Sequence, residues 1–279
     1  MTQDRPGGGE DSGQPPGSGP GPASAARMWN YWIGGRDNYP ADRAAGDRVL
    51  AAMPELPLVA RSLRGFLTAT VDELTAVGVR QFLDIGSGLP TADNTHDVAQ
   101  RAAPASRIVY VDHDPAVISQ ARSLLTSTEA GKADYVQADL RDWPAISAGA
   151  QRTLDFSQPV AVLLIAVLHF ILDEEDPHQL VARMMADLAS GSYLVIGHAA
   201  SDIGADTAAA MARSYNATAA LTITPRNRAE VARFFDGLEM TGPGLLPLAR
   251  WPGSGPATTG SANTVGSVLS CYCGIARKP

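Results

Sequence analysis

The chain has 279 residues and a formal net charge of −7 at pH 7, a length sufficient for one large α/β domain with its own core. Lysine and arginine never form a run longer than a dipeptide, which disfavours a nucleic-acid partner because such binders carry clustered positive charge. The longest apolar run, residues 160–168, is too short to span a bilayer, and residues 1–16 lack the basic and apolar regions of a secretory signal. We therefore expect a cytoplasmic protein without a membrane partner.

Two segments of different composition precede the first predicted strand. Residues 1–22 contain seven glycines and five prolines, a composition that cannot bury enough apolar surface to become ordered, so we expect a disordered tail. After residue 23, aromatic residues cluster around a Gly-Gly turn, and Pro40 is placed to open a helix. Apolar residues at helical spacing then predict a longer helix over residues 58–77, which ends at Gly78.

Strands and helices alternate regularly after this helix. Asp114-Pro115 and Asp176-Pro177 each combine an N-cap residue with proline at the first helical position. The alternation predicts a mostly parallel sheet with helices on both faces. Strands are predicted at 81–85, 107–112, 134–139, 159–168, 193–198, 237–243 and 265–278, helices at 95–102, 115–125, 177–190 and 227–235, and a long glycine-rich loop at 251–266.

Cys271 and Cys273 stand two apart in the last predicted strand, so their side chains lie on the same face of the sheet. A metal site would require different spacing and more ligands. We expect both to be buried free thiols. The sequence predicts no metal site.

The turn "DIGSG" follows the first predicted strand, which ends at Asp84, and contains Gly86 and Gly88. Glycines two apart after a strand let the backbone approach a ligand closely. A dinucleotide site would have a third glycine at position 91, where this chain has Thr91. An oxidoreductase that uses a nicotinamide cofactor is therefore disfavoured.

Acidic residues end three consecutive predicted strands: Asp84, Asp112 and Asp139. Asp112 can accept both hydrogens of a ribose diol, and Asp139 can accept from an adenine amine beside the apolar edge of Leu140. Any one of these acids could instead cap a helix. Their shared location favours a neutral or cationic adenosine ligand over a phosphorylated one.

The segments "LDIGSG", "VYVDHDP" and "VQADLRD" together resemble the motif series of class I methyltransferases that use S-adenosylmethionine. With "RMWNYWIGGRDNYPADR", "AVLHFILDEEDP" and "GSYLVIGHA", residues 23–279 resemble an actinobacterial S-adenosyl methyltransferase family long described as a domain of unknown function. The resemblance implies S-adenosylmethionine as cofactor and a Rossmann-like α/β fold, with a seven-stranded, mostly parallel sheet whose last strand is antiparallel. It also implies an N-terminal helical lid over residues 23–78 and a core over residues 79–279.

The resemblance places the cofactor by position in this sequence. Gly86 and Gly88 would approach its methionine part, Asp112 would hold the ribose, and Asp139 and Leu140 would flank the adenine. The lid would cover the cofactor with a block that includes Tyr31, Arg36 and Asn38.

Two histidines are candidate catalytic residues. Methyl transfer requires in-line positioning of the acceptor and, for an O or N acceptor, removal of a proton. His169 follows the central predicted strand and His198 ends the next one, and an imidazole is well suited to this proton transfer. Either histidine could instead hydrogen-bond a carbonyl and seal the sheet edge.

These observations predict an S-adenosylmethionine-dependent methyltransferase that acts on an O or N atom of a small molecule. The acidic composition and the absence of a basic groove favour a small acceptor over a nucleic acid. The alternative is a sensor that binds S-adenosylmethionine or S-adenosylhomocysteine and catalyses no reaction. The sequence does not predict the oligomeric state.

Overall fold

The computed structural model describes residues 22–124, 126–219, 221–252 and 269–279. Nearly all of the expected disordered tail and most of the expected glycine-rich loop lie outside the described residues. Within these ranges, none of the helices has both the length and the hydropathy that crossing a membrane requires.

The described part of the chain forms an eight-stranded sheet. Its strands are β1 (Gln81–Ile85), β2 (Arg107–Asp112), β3 (Lys132–Gln137), β4 (Ala161–Ile165), β5 (Tyr193–Ala199), β6 (Glu239–Met240), β7 (Leu246–Pro247) and β8 (Cys271–Arg277). The order is β3-β2-β1-β4-β5-β8-β6, with β7 paired to β8. Strands β1 to β5 are parallel, and β8 is antiparallel to β5.

This topology confirms the predicted Rossmann-like α/β fold with an antiparallel last strand. The sheet has one strand more than the expected seven, because Leu246 and Pro247 add a two-residue pairing to β8. Two residues are too few to show an alternating apolar pattern, so no sequence signal marks this strand.

Helices cover both faces of the sheet. Within the described ranges they are α1 (Ala25–Trp32), α2 (Pro40–Ala52), α3 (Leu56–Ala76), α4 (Thr95–Ala102), α5 (Pro115–Leu124), α6 (Trp143–Ala150), α7 (Pro177–Ala186), α8 (Ala205–Asn216) and α9 (Arg228–Ala232). The predicted caps are confirmed, since the Asp114 and Asp176 side chains accept hydrogen bonds from backbone N–H groups in the first turns of α5 and α7. Helices α6 and α8 lie in segments for which the sequence patterns predicted no helix.

Helix α3 shows why the predicted helix ends where it does. Gly78 has a φ of +101°, a left-handed conformation that glycine adopts without steric cost. The Val79 N–H donates to the Leu74 carbonyl at 2.9 Å, and the Gly78 N–H donates to the Thr75 carbonyl at 3.1 Å. These two bonds form a Schellman motif, which satisfies the last carbonyls of α3 and directs the chain into β1.

Apolar side chains form one core on each face of the sheet. Phe82 and Leu163 face the core that contains α3 and α4, whereas Leu83 and Leu164 face the core that contains α6 and α7. Because both faces are covered, the parallel strands are apolar on both sides. Cys271 and Cys273 are buried free thiols in the first of these cores, as predicted.

The strand order fixes where a ligand can bind. From β1 the chain winds outward to β3 and then returns to place β4 on the other side of β1. The winding direction therefore reverses between β1 and β4, and open sheets of this kind bind ligands at the carboxyl ends of the strands at such a point.

Candidate active site

A cavity lies at the carboxyl ends of β1, β2 and β4, between the sheet and helices α1, α3 and α8. Residues that are distant in sequence meet there because parallel strands end at the same edge of the sheet. The lining includes six of the predicted cofactor residues and one of the predicted catalytic residues: Asp84, Gly86, Gly88, Asp112, Asp139, Leu140 and His169.

The turn after β1 requires glycine at two positions. Gly86 has a φ of +76° and Gly88 a φ of +64°, a left-handed conformation that costs other residues about 1–2 kcal/mol. A Cβ atom at Gly86 would lie 2.5 Å from Cγ2 of Val167, whereas one at Gly88 would meet nothing within 4 Å. Gly86 therefore permits packing against the segment after β4, and the backbone at Gly88 is open to a ligand.

Asp112 holds this turn from the end of β2. Its Oδ2 accepts a hydrogen bond from the Gly88 N–H at 2.9 Å, and its Oδ1 accepts one from the Asp114 N–H at 3.0 Å. Burial raises the pKa of the Asp112 carboxyl, although the two N–H donors act in the opposite direction. Each carboxylate oxygen keeps a second lone pair, so Asp112 can also accept ribose hydroxyl hydrogens.

Two side chains that the sequence patterns did not identify, those of Thr95 and Arg64, interact with Asp84. Burial raises the pKa of Asp84, and a hydrogen bond from Thr95 and the positive charge of Arg64 offset this only in part. The Thr95 hydroxyl donates to Asp84 Oδ2 at 2.6 Å. Arg64 lines the cavity and donates to the Asp93 carbonyl at 2.9 Å. The one sequence signal that could have identified Arg64 was the presence of a cation next to Leu63, within the apolar pattern of α3.

Asp139 is paired with a second arginine. The Arg141 backbone N–H and Nη1 donate to Asp139 Oδ1 at 2.9 and 3.1 Å. The same guanidinium forms an ion pair with Glu175 and donates to the Phe170 carbonyl at 3.1 Å. Arg141 therefore links the segments after β3 and β4, a role that the sequence patterns did not predict. Leu140 is buried and lines the cavity next to Asp139.

Tyr31, Arg36 and Asn38 are not among the residues that line the cavity. The Tyr31 hydroxyl donates to Asp47 Oδ1 at 2.7 Å, and Asn38 Nδ2 donates to the Gly35 carbonyl at 2.9 Å. Arg36 is exposed. Another face of α1 lines the cavity instead, since helical positions three and four apart share a face. That face consists of Ala25, Ala26, Trp29 and Trp32.

His169 lies in a short 3-10 turn, Leu168–Phe170, which is separated from the end of β4 by two residues. Burial, together with the positive charge of Arg226, lowers the pKa of His169 to about 3, so the imidazole is neutral at pH 7. Its Nδ1 is buried and has no hydrogen-bond partner among the described residues. Ala166, three residues earlier, has a φ of +56°, a strained conformation of the kind that clusters at functional sites.

His198 is fully buried and is not among the residues that line the cavity. Its Nδ1 lies 2.8 Å from the Ala199 carbonyl oxygen, and its Nε2 lies 3.0 Å from Arg226 Nη1. A carbonyl only accepts and a guanidinium only donates, so Nδ1 carries the proton and both ring nitrogens are used. Burial lowers the pKa of His198 well below its usual range. This arrangement agrees with the alternative in which the histidine hydrogen-bonds a carbonyl. It leaves His198 away from the cavity in which a methyl acceptor would bind.

Arg226 holds the segment that carries His169. The guanidinium is buried and donates to the Leu168 carbonyl at 3.2 Å and to the Ile171 carbonyl at 2.8 Å. It also forms an ion pair with Asp173 at 2.7 Å. The two carbonyls flank the 3-10 turn, so Arg226 fixes the turn at both ends. Sequence reasoning missed this arginine because its partners are distant along the chain.

The lining fits a positively charged nucleoside without a pyrophosphate. The open backbone at Gly88 would accommodate the ligand closely, Asp112 would hold a diol, and buried Asp84 disfavours a phosphate. Arg64 is the cation placed beside Asp84 and would suit a carboxylate group of the ligand. Across the described ranges, no three His, Cys, Asp or Glu side chains are grouped as metal ligands.

Residues 20–279 match the S-adenosyl methyltransferase family. A solved DUF574 family protein from Streptomyces avermitilis MA-4680 is 39% identical with a TM-score of 0.87, over 92% of this chain and 98% of that one. A candidate methyltransferase from Thermobifida fusca YX is 33% identical with a TM-score of 0.82, over 92% of this chain and 95% of that one. The trans-aconitate 2-methyltransferase of Escherichia coli O9:H4 (strain HS) is 36% identical over 70 residues, which span 25% of each protein.

The family match therefore covers both the helical N-terminal segment and the sheet that forms the cavity. The two structural relatives share this architecture over almost their whole length. The protein is an enzyme that uses S-adenosylmethionine as its cofactor, and the chain belongs to the S-adenosyl methyltransferase family.

Proposed function

We propose that the enzyme transfers a methyl group to an O or N atom of a small molecule bound in this cavity. The observation that carries the proposal is the convergence of the glycine turn, the strand-end acids and His169 on one cavity beneath α1, α3 and α8. A cavity covered by three helices can enclose a small acceptor.

The predicted cofactor residues at the cavity, apart from Asp84, contact three parts of the cofactor in this proposal. Gly88 gives the methionine part access to the backbone, and Gly86 keeps that turn in place against Val167. Asp112 accepts from the ribose, while Asp139 and Leu140 flank the adenine. Arg64 would pair with the methionine carboxylate, because no other arginine or lysine among the cavity residues lies beside Asp84.

Bound S-adenosylmethionine supplies a methyl group whose S–C bond breaks with the electron pair left on sulfur, as the acceptor O or N bonds to the methyl carbon and releases its proton. The cavity positions the acceptor, which lowers the barrier for such a displacement. A general base works best with a pKa near the operating pH, whereas the pKa of His169 is lowered to about 3. We assign neutral His169 to hydrogen-bonding and orienting the acceptor, with the proton released to water.

Isothermal titration calorimetry with S-adenosylhomocysteine tests the cofactor assignments. Asp112→Asn should weaken binding by about 10-fold or more, because a hydrogen bond to a charged group contributes about 1.5–3 kcal/mol. Asp236→Asn is the matched control, since Asp236 is exposed and is not a cavity residue. Equal affinity of Asp112→Asn and the wild type would contradict the ribose assignment.

Turnover separates a catalyst from a binding-only sensor. The enzyme is incubated with S-adenosylmethionine and a small-molecule extract, and S-adenosylhomocysteine formation is measured. We expect turnover that His169→Ala slows without weakening S-adenosylhomocysteine binding. Turnover with a macromolecular fraction alone would contradict the small-molecule acceptor, and binding without any turnover would favour the sensor.

A further inference from the structure

The cavity has two halves of different chemistry. The cofactor half carries the charged groups that follow β1, β2 and β3, together with Arg64 beside Asp84. We define the acceptor half as the uncharged lining residues around the rings next to His169, and Arg141 borders it through a hydrogen bond to the Phe170 carbonyl. The acceptor half consists of Trp29, Trp32, His169, Phe170, Met211, Tyr215, Leu221, Ile223, Ser270 and Cys271.

Five rings form a continuous series through the acceptor half. The ring centroids of Trp29 and Trp32 are 6.4 Å apart, and those of Trp32 and Tyr215 are 6.5 Å apart. Phe170 follows at 6.1 Å from Tyr215, and His169 at 4.5 Å from Phe170. Aromatic rings favour each other at such separations. The series therefore extends from the lid helix α1, across α8, to the imidazole beside which the acceptor atom would lie.

The polar groups of the acceptor half cannot compensate a buried charge. The Ser270 hydroxyl already donates to the Ile203 carbonyl at 2.9 Å. Burial raises the pKa of Cys271 to about 12 and keeps its thiol neutral. Burial also raises the pKa of the Tyr215 hydroxyl. The bordering Arg141 is already paired with Asp139 and Glu175. A charged ligand would therefore lose its hydration here without gaining a free ion-pair partner, which is strongly unfavourable.

We infer that the acceptor half binds an uncharged, planar aromatic molecule, which stacks against Phe170 and Tyr215 with its O or N atom next to His169. The inference rests on the proposed function and specifies the class of its substrate. The aromatic series provides flat apolar contact, and the missing charges select against carboxylates and ammonium groups.

The test uses the full chain saturated with S-adenosylhomocysteine, whose binding is measured first. Three probes of similar size are then titrated by calorimetry: naphthol, the saturated decahydronaphthol and the charged naphthoate. We expect naphthol to bind about 2- to 12-fold more tightly than decahydronaphthol, because aromatic pairing contributes about 0.5–1.5 kcal/mol beyond area burial. Naphthoate should bind more weakly than naphthol. Equal or tighter binding of either analogue, or no binding of naphthol, would overturn the inference.

Two variants locate the probe. Phe170→Leu should weaken naphthol binding about 2- to 12-fold, by loss of one aromatic contact, and leave decahydronaphthol binding nearly unaffected. Phe156→Leu is the matched control, because Phe156 stacks on Trp143 in the opposite core, 6.2 Å between centroids. Naphthol that competes with S-adenosylhomocysteine would occupy the cofactor half and would also overturn the inference. If the wild type does not bind S-adenosylhomocysteine, the proposed function is refuted instead. Failure of the inference and failure of the proposed function are therefore distinguishable.

Discussion

Replacement of His169 by asparagine should make the protein less sensitive to acid. The ordinary histidine pKa of 6.5 describes the unfolded chain, and burial together with Arg226 lowers the pKa of His169 to about 3 in the folded protein. Between these values the unfolded chain binds a proton that the folded chain does not. The stability associated with neutral His169 is therefore present above pH 6.5 and is lost as the pH falls.

The magnitude follows from the same two pKa values. From about pH 7 to about pH 5, proton binding to unfolded His169 lowers the free energy of unfolding by about 2 kcal/mol. This figure is an upper limit, because His169 borders the cavity and its side chain is not wholly removed from water. Buried Asp84 and Asp112 have raised pKa values and act in the opposite direction. They are present in both proteins, so their effect cancels in the comparison.

Urea denaturation of the wild type and His169→Asn at both pH values measures the difference. We expect the wild type to lose up to about 2 kcal/mol more than the variant on acidification. Phe156→Leu, at a residue whose side chain stacks on Trp143, is the control for general destabilisation and should lower stability equally at both pH values. If His169→Asn loses as much stability as the wild type, the imidazole is not held neutral by burial and the reasoning is refuted.

Three further changes test the site. In urea denaturation, Gly86→Ala should lower the free energy of unfolding more than Gly88→Ala. Both substitutions incur about 1–2 kcal/mol of left-handed strain, but only the Cβ atom at position 86 meets Val167. Equal losses of stability would contradict this packing. Thr95→Val should lower the free energy of unfolding in urea by about 1–3 kcal/mol, because buried Asp84 loses a hydrogen-bond donor. Thr95→Ser should be close to wild type in stability. If Thr95→Val is as stable as the wild type, the hydrogen bond is dispensable. Iodoacetamide at about pH 8 should leave Cys271 unmodified in the folded protein, because burial raises its pKa to about 12 and the thiol is unreactive; rapid labelling detected by mass spectrometry would refute this.

Local patterns predicted the part of the site that lies on strand ends. Asp84, Asp112 and Asp139 each follow a β-branched or apolar run, and the glycine turn follows the first of these runs. Parallel strands place such ends side by side whatever the loops do, so their convergence could be predicted. His169 reached the cavity for the same reason, because it follows β4 at the switch point.

Side chains that act across the fold could not be predicted in this way. Arg226 contacts the turn around His169 from far along the chain. It is separated in sequence from its two carbonyl partners by 58 and 55 residues. His198 shares a face of β5 with Leu194 and Ile196, which belong to the core that contains α6 and α7, so its side chain lies away from the cavity and contacts Arg226 instead. Tyr31, Arg36 and Asn38 belong to the expected lid block. Tyr31 lies on α1, whose rotation determines which of its side chains face inward, whereas Arg36 and Asn38 lie in the segment between α1 and α2.

The sequence by itself determined the alternation of strands and helices, the caps at Asp114 and Asp176, and the glycine turn, because each depends on residues within a few positions of one another. The tertiary structure alone decided which histidine meets the cavity and how far its pKa falls. It also decided that α8, a helix without a strong local pattern, supplies Met211 and Tyr215 to the acceptor half. These properties depend on burial and on contacts between distant segments, which exist only once the sheet and its two layers of helices have packed.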